Sequence, residues 1–562
     1  MSEKKLKIFC VNLNRHIDVG GGDSLSEIAG RIEGDLGFKP IAARVNNKSE
    51  YLGYPVYSPK QVEFVSADSP LGRRVYTRSL CMMLYRAASM EIDSCTLKIE
   101  HSVSRGHFCR LSCRHEEGPV EITPDLLEKL TVRLKEMHKV DIPFIRHVKP
   151  TDEVKDIFLK EGLENKVTLL DTENDLYTSY YTLADTADNY YGPLAPSTGF
   201  IGVFALHPYH DGFLLMGPDP KCPAVAANPV PQEKLYKAFT DYLNFNRIIR
   251  VSTVGQLNRV VLAKKTADLI NVAEAMHDKY LGRISDEIAL RVKEGSARIV
   301  LLAGPSSSGK TTTNKRLAIQ LMTNLLMPKL ISMDDYFIDR EHTPRDENGD
   351  YDFEHLHALD LDRFNSDLKR LLAGETINLP TYSFELGRRI EKEKPLKLGP
   401  KDVLLIEGIH GLNPELTHAL SVDDIFKIYV SALTTLTIDD HNWISTNDNR
   451  LLRRIVRDFK YRHVSALETL RRWPSVQRGE ERWIFPFQEN ADALFNSSLI
   501  FEIGAMKNYA EPLLRSVPHN APQYAEAYRL LKLLGYFIPI GAEQIPTTSL
   551  LREFLGGSSF RY

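Results

Sequence analysis

Residues 298–313 read RIVLLAGPSSSGKTTT, and this stretch decides the fold of the second half of the chain. Its apolar start, residues 299–303, is typical of a buried parallel strand. Residues 304–311 fit G-x-x-x-x-G-K-[ST] at every fixed position, and apolar residues then recur at helical spacing. A strand, a loop of small residues and a helix N-terminus place backbone N–H groups around phosphate oxygens. This order is more specific than a chance glycine turn and predicts a site for a nucleoside triphosphate.

Two side chains of the loop suit that ligand. Lys310 carries a point charge that can reach the β and γ phosphates, and the Thr311 hydroxyl suits a Mg²⁺ ligand. We therefore expect ATP and Mg²⁺ as cofactors. The residues expected to hold the triphosphate are Gly304, Pro305, Ser306, Ser307, Ser308, Gly309, Lys310, Thr311 and Thr312.

Length and composition limit the class of protein. The chain has 562 residues, enough for three or four domains, with 43% hydrophobic and 26% charged residues, which is ordinary for a globular protein. The net charge of −3 argues against a surface that coats nucleic acid. The six cysteines form no CxxC pair, and the polar start MSEKKLK is unlike a signal peptide. We expect a cytoplasmic protein without a membrane span.

The first 66 residues predict a small β-grasp domain. A strand in LKIFCVNL precedes a glycine turn, a helix with a capping box at Ser24 and Glu27, and strands in IAARVNN and VEFVSA. The run ARVNNKSEYL…VEFVSADSPLGRRVYTRSLCMMLYRAA and the segment YYGPLAPSTG resemble the N-terminal region of threonyl-tRNA synthetases. That resemblance implies a TGS domain at 1–66 and an α+β editing-like domain at 67–225.

The resemblance also implies a loss of metal chemistry in this region. Where the synthetase family presents two histidines, a cysteine and a further histidine, this chain places Arg78, Met82, Tyr190 and Leu194. Apart from the weak thioether of Met82, none of these can replace an imidazole or thiolate ligand. Residues 226–295 follow as a helical connector, which either joins the two halves rigidly or binds a partner.

Acidic residues follow two apolar strands after the loop. KLISMDDYF ends in Asp334 and Asp335, and DVLLIEGIHG closes on Glu407. In a parallel sheet the carboxyl ends of strands face the ligand crevice, so Asp334 can meet a substrate hydroxyl and Glu407 can lie near Mg²⁺. The alternative role of a helix N-cap fits Asp335 better than Asp334. No [NT]KxD sequence follows the loop, which counts against a Ras-like GTPase.

A basic helix is expected in RLLRRIVRDFKYR. Its arginines recur at spacings of three and four and so share one side, as a solvated face or a nucleic-acid site would also show. In a P-loop kinase such a helix folds over the phosphates, supplies positive charge and excludes water. We favour this lid interpretation.

Residues 296–505 resemble the uridine kinase and phosphoribulokinase family of P-loop kinases. The matching motifs are GPSSSGKTT, ISMDDYF, YDFEH, PTYSF, LLIEGIHGL, RLLRRIVRD and NADALFNSS. The resemblance implies Asp334 as general base and Tyr382 and Arg389 in the acceptor pocket. It also implies that Arg454, Arg457 and Arg462 touch phosphates or substrate. The family's base-reading His and Asp are replaced by Gly387 and Ser383, which disfavours uridine itself as the acceptor.

The sequence thus predicts an α/β multidomain protein with a C-terminal parallel-sheet kinase domain and a helical extension at 506–562. The last residues of that extension are expected to form a clasp or to contribute to a pocket. The predicted activity is ATP-dependent phosphorylation of a small-molecule alcohol, with a nucleoside as the leading class. The alternatives are a kinase for a sugar phosphate or pantothenate-like alcohol, and an ATPase switch whose N-terminal half contacts RNA. The sequence leaves the oligomeric state of the protein undecided.

Overall fold

The computed structural model describes residues 5–113, 118–346, 349–390 and 392–561. The first unit is a mixed five-stranded sheet of order β2-β1-β5-β3-β4 covered by the helix α1 (Leu25–Leu36). Its strands are β1 (Lys5–Cys10), β2 (Arg15–Gly20), β3 (Ala42–Val45), β4 (Lys48–Glu50) and β5 (Gln61–Val65). The expected capping box starts α1, because Ser24 Oγ accepts from the Glu27 N–H and Glu27 accepts from the Ser24 N–H. This mixed content fits a β-grasp domain, whereas the TGS assignment stays a prediction.

The second unit packs two antiparallel sheets and several helices around a separate apolar core. One sheet has the order β10-β9-β8 and the other β11-β12-β7-β6. The elements are α2 (Pro70–Glu91), β6 (Cys95–Val103), β7 (Gly106–Cys113), α3 (Pro124–Val140), β8 (Phe144–Pro150), α4 (Thr151–Glu161), α5 (Glu164–Leu170), β9 (Tyr177–Leu183), β10 (Thr186–Asp188), β11 (Ala205–Tyr209) and β12 (Gly212–Met216).

Three helices connect this unit to the second half of the chain. They are α6 (Glu233–Ile248), α7 (Val254–Leu262) and α8 (Thr266–Lys293). Buried residues of α7 and α8 belong to the same core as the second half, and Glu274 on α8 forms a 3.1 Å ion pair with Arg316. The helices are therefore packed against the second half rather than standing apart from it.

A five-stranded parallel sheet of order β14-β19-β13-β20-β21 forms the second half. Helices cover both of its faces, where two apolar cores lie. Its strands and the short strands between them are β13 (Ile299–Ala303), β14 (Met327–Ser332), β15 (Ile377–Asn378), β16 (Thr381–Ser383), β17 (Arg388–Ile390), β18 (Pro395–Leu396), β19 (Asp402–Gly408), β20 (Ile425–Ser431) and β21 (Ala493–Asn496). Its helices are α9 (Lys310–Thr323), α10 (Leu361–Leu372), α11 (Thr446–Arg462) and α12 (Ala466–Trp483).

The chain continues with α13 (Glu502–Arg515), α14 (Tyr524–Gly535) and the short α15 (Arg552–Leu555), which share the core on one face of the parallel sheet. Pairing in register puts Ala303 beside Gly408 and Ser332 beside Glu407. The carboxyl ends of β13, β14 and β19 therefore open on one edge, as expected. Within the described residues, no helix is long and apolar enough to cross a membrane.

Candidate active site

The loop between β13 and α9 has the tight backbone that phosphate binding requires. Gly309 has φ of +83°, and Ser307 adopts the left-handed region with φ of 59°. A Cβ on Gly304 would lie 2.0 Å from the carbonyl oxygen of Val430, so only glycine fits there. Within the described part of the chain, no acceptor pairs with the backbone N–H groups of Ser307, Gly309, Lys310 and Thr311. These donors are free to receive an anion.

Lys310 folds back over this loop. Its Nζ donates to the carbonyl oxygens of Gly304 at 2.9 Å and Pro305 at 3.1 Å. Burial lowers the pKa of Lys310, and the nearby carboxylates of Glu407, Asp334 and others oppose that shift. The amine of Lys310 therefore lies close to the phosphate loop, to the candidate general base Asp334 and to Glu407, the candidate residue beside the metal ion.

Thr311 and Glu407 are joined directly. Thr311 Oγ1 is 3.0 Å from both carboxylate oxygens of Glu407. Burial raises the pKa of Glu407 to about 7, against the pull of Lys310, and Asp334 adds to the rise. A hydroxyl and a carboxylate beside a phosphate cradle are the oxygen ligands that Mg²⁺ prefers, so these two residues fit the ion.

Asp334 lies just beyond β14 in the one-turn helix Met333–Tyr336. Its side chain opens to solvent in the crevice, yet the surrounding protein raises its pKa by desolvation, while Lys310 lowers it. The N-cap of this turn is Ser332, so the alternative N-cap role for Asp335 is wrong. Asp335 instead pairs with Lys394 at 3.4 Å. Of the two acids, Asp334 is the one electrostatically coupled to Lys310.

The basic helix α11 lies against the loop. Arg454 Nη1 donates to Ser306 Oγ at 2.8 Å. Arg457 and Arg462 contact Asp458 at 2.9 and 3.5 Å, and Arg462 also acts electrostatically on Asp334. The structure thus brings one predicted arginine onto the loop and leaves the other two tethered beside it.

Two further arginines of α11 are wholly buried beneath the loop, a role that the sequence did not single out. Arg450 Nε donates to the carbonyl oxygen of Ser306 at 3.0 Å and pairs with Glu480. Arg453 pairs with Glu502 at 2.5 Å. These two residues hold the loop from below rather than facing its open side.

Three carboxylates join the site without having been predicted. Glu480 Oε1 accepts from the Ser306 N–H at 3.0 Å, and Glu553 accepts from Thr312. Burial and the neighbouring Glu480 raise the pKa of Glu354 to about 7. Glu354 belongs to the motif YDFEH, which could have pointed to it, whereas Glu480 and Glu553 lie in stretches without any motif. The site is therefore richer in carboxylates than the sequence suggested.

Tyr382 and Arg389 face each other across the hairpin β16–β17. Tyr382 is buried against Phe337, and its hydroxyl interacts with the Arg340 guanidinium. Arg389 is held by Asp360 at 2.9 Å and by the carbonyl oxygen of Phe337 at 3.0 Å. Because Phe337 follows the turn that carries Asp334, this hairpin borders the crevice.

Comparisons with known proteins agree with this architecture. Residues 299–499 match the Phosphoribulokinase / Uridine kinase family. The chain is 30% identical over 201 residues to a uridine kinase of Brevibacillus brevis. The aligned region covers 36% of this chain and 85% of that protein. A uridine kinase of Staphylococcus aureus is 31% identical over 198 residues, 35% of this chain and 86% of that protein.

Solved structures give weaker likenesses. A possible uridine kinase from Bacillus stearothermophilus has 20% identity and a TM-score of 0.24, with 36% of this chain and 89% of that chain covered. A putative fructose transport system kinase from Silicibacter sp. TM1040 has 16% identity and a TM-score of 0.26, with coverages of 38% and 98%.

Proposed function

This chain belongs to the Phosphoribulokinase / Uridine kinase family, and we propose that it transfers the γ-phosphoryl group of ATP to the hydroxyl of a small-molecule alcohol. One observation carries the proposal: Lys310 of the phosphate loop shares its crevice with Glu407 and Asp334, which end two neighbouring strands. Phosphoryl transfer needs a phosphate cradle, a metal-side carboxylate and a base within reach of one another.

The loop and helix α11 act on the triphosphate. The free N–H groups at the start of α9 bind phosphate oxygens, and Lys310 leaves its carbonyl acceptors to reach the β and γ phosphates. Arg454, together with Arg457 and Arg462, stabilises the charge on the transferring group. Mg²⁺, held by Thr311 with Glu407 beside it, would offset the charge of the β and γ oxygens.

Asp334 acts on the acceptor. A carboxylate with a raised pKa is a better proton acceptor than an ordinary aspartate, because its conjugate acid is weaker. In this role Asp334 orients the alcohol and takes its proton as the new bond to phosphorus forms. Arg454 and the rest of α11 limit the access of water that would otherwise compete with the alcohol.

We place the acceptor next to the hairpin β16–β17, with a nucleoside as the first candidate class. Gly387 in its turn has φ of +67°, and a Cβ there would lie 2.8 Å from the Arg340 guanidinium. A histidine at this position would be strained and would displace Arg340. The pocket is therefore built differently from one with a base-reading imidazole, which supports weak selection for uridine.

An acceptor screen tests the proposal. The purified full-length chain is incubated with ATP, Mg²⁺ and, one at a time, nucleosides, sugars, sugar phosphates and pantothenate, and ADP release is measured. We expect ADP release that depends on the acceptor, with a phosphorylated product identified by mass. ATP consumption stimulated only by RNA would overturn the proposal and favour an RNA-linked ATPase switch.

A further inference from the structure

A cavity of about 880 Å³ lies where three parts of the protein meet. The residues that line it do not include those of the phosphate loop. Its walls come from β4 and the following loop, from the second unit, and from α14 with the segment after it. The charged and aromatic side chains that matter below are Tyr51, Arg146, Glu173, Tyr190, Tyr191, Lys532 and Tyr536. None of the residues that line it belongs to the candidate active site.

One end of this cavity has an excess of positive charge. Burial within the cavity wall lowers the pKa of Lys532, although the side chain stays accessible to solvent. Among the charged groups that act most strongly on Lys532, Glu50 is acidic, whereas Arg146, Arg78 and Lys48 are cationic. The Glu50 carboxylate is shared by three of these cations, Lys532, Arg146 and Lys48. Four cations beside one carboxylate leave an excess of positive charge, which favours a bound anion.

Arg78 is the most buried of the four cations, so its charge is the one that most needs compensation. It is 5% exposed, and its guanidinium donates to the carbonyl oxygen of Pro193 at 3.0 and 3.3 Å. Burial lowers its pKa to about 10. A Cβ on Gly192 would lie 2.7 Å from the guanidinium, so the cavity wall is thin at this point. A buried charge without a carboxylate is costly unless a ligand compensates it.

Aromatic rings line the space beside these cations. Arg146 lies over the ring of Tyr51 at 5.2 Å, and Arg78 lies over that of Tyr191 at 5.8 Å. Tyr190 is 7% exposed, and its hydroxyl interacts with the Asp188 carboxylate. The rings offer flat surfaces on which the base of a ligand can stack.

Acidic residues also line the cavity. Burial and the nearby Asp175 raise the pKa of Glu173 to about 7, and both carboxylates act on Tyr536. A carboxyl group with this pKa can accept or donate a hydrogen bond near neutral pH, which suits the hydroxyls of a sugar or the edge of a base.

We propose that this cavity is a second nucleotide site, distinct from the kinase crevice. The phosphate lies at the cationic end near Arg146 and Lys532, with Arg78 behind the wall, and the base stacks among the tyrosines. The sugar or base edge reaches Glu173. The nucleotide can be free or can be the end of a nucleic acid strand, because both present the same phosphate, sugar and base.

Calorimetric titration of the full-length chain with UMP and with AMP tests this site. The titrations use Lys310→Ala as background, which disables the phosphate loop. We expect binding to persist there and to weaken by roughly tenfold or more in Lys532→Ala and in Arg146→Ala, because each removes a charge-assisted contact. Lys139→Ala, at an exposed position on α3, is the matched control and should leave binding unchanged.

A conservative replacement distinguishes the loss of a ligand contact from a loss of the folded structure. Lys532→Arg keeps the charge and should bind within a few-fold of the parent. A short single-stranded RNA that displaces UMP would identify a nucleic acid end as the ligand, whereas its failure to compete would identify a free nucleotide; either supports the site. Absence of binding by both nucleotides, or binding indifferent to both cavity substitutions, would overturn it and leave the kinase crevice as the sole nucleotide site.

Discussion

The Oγ1 hydroxyl of Thr312 donates a 2.6 Å hydrogen bond to Oε2 of Glu553, which lies 241 residues further along the chain. The backbone N–H of Thr312 donates to the same oxygen at 3.3 Å. A carboxylate from the C-terminal tail thus lies at the N-terminus of α9, where the helix and the loop favour an anion. A triphosphate in the loop would meet this charge at the same donors.

The substitution Glu553→Gln should therefore tighten ATP binding. The amide keeps the size of the side chain but removes a negative charge beside the phosphate position. We expect the KM for ATP to fall roughly threefold to tenfold, the range of a charge acting at a helix terminus. Steady-state kinetics at fixed acceptor concentration measure this.

Glu543→Gln is the matched control, because Glu543 is exposed in the same tail. It should leave the KM unchanged. If Glu553→Gln instead raised the KM, the carboxylate would be a partner of the bound nucleotide and not its competitor.

Asp334→Asn should abolish transfer while ATP still binds. The amide cannot accept the proton of the alcohol, and removal of a general base typically costs on the order of 10² to 10⁴ in rate. Asp335→Asn is the natural comparison, since Asp335 pairs with Lys394 and is expected to retain most of the activity. Measured kcat and nucleotide affinity for both variants decide the matter; equal rates in Asp334→Asn and the parent would remove Asp334 from the base role.

Local sequence predicted the strand β13, the helix α9 and the acids that follow β14 and β19, because hydrophobic periodicity and a motif with fixed spacing are local signals. The parallel kinase sheet is confirmed by the structure and by the family match. The placement of Asp334 near Lys310 needed only the rule that parallel strands share one carboxyl edge.

Long-range contacts lay beyond such reasoning. Glu480 and Glu553 reach the loop from α12 and α15. The tail that carries Glu553 was expected to form a clasp or to contribute to a pocket, but no motif marks either carboxylate itself as a site residue. The N-cap interpretation of Asp335 failed because Ser332, two residues before Asp334, takes that role by accepting from the Asp334 N–H. In a short turn several side-chain oxygens lie near the first N–H groups, and the N-cap is the residue whose oxygen accepts the hydrogen bond.

The stability of the ligand-free protein should fall as pH rises, in part through Glu354. Its pKa is about 7 in the folded protein against 4.5 ordinarily, mainly because of burial. Between these values the folded state holds a proton that the unfolded chain has released, so the contribution is complete below about pH 4.5 and is lost through about pH 7. In Glu354→Gln the side chain stays neutral at every pH.

Thermal unfolding of the parent and of Glu354→Gln, followed from about pH 5 to about pH 8, measures this effect. The variant should lose less of its unfolding temperature over that range than the parent does. Parallel curves for the two proteins would show that Glu354 is ionised in the fold already at the acidic end.

The buried ion pair of Arg453 and Glu502 should stabilise the contact between α11 and α13. Arg453 also donates to the carbonyl oxygens of Ser497 at 2.9 Å and Ser307 at 3.4 Å. Arg453→Met leaves Glu502 buried without its counter-ion, which should lower the free energy of unfolding by about 3–5 kcal/mol. Arg471→Met, which breaks an exposed pair with Glu468 on α12, should change it by less than about 1 kcal/mol.

Urea unfolding of these variants and of the double variant Arg453→Met/Glu502→Gln separates charge from packing. If the cost arises from an uncompensated carboxylate, neutralising Glu502 in the double variant should recover much of it. A double variant as unstable as Arg453→Met alone would mean that Arg453 acts through its hydrogen bonds to the carbonyls of Ser497 and Ser307. In that case the loop, and with it ATP affinity, should be disturbed equally in both variants.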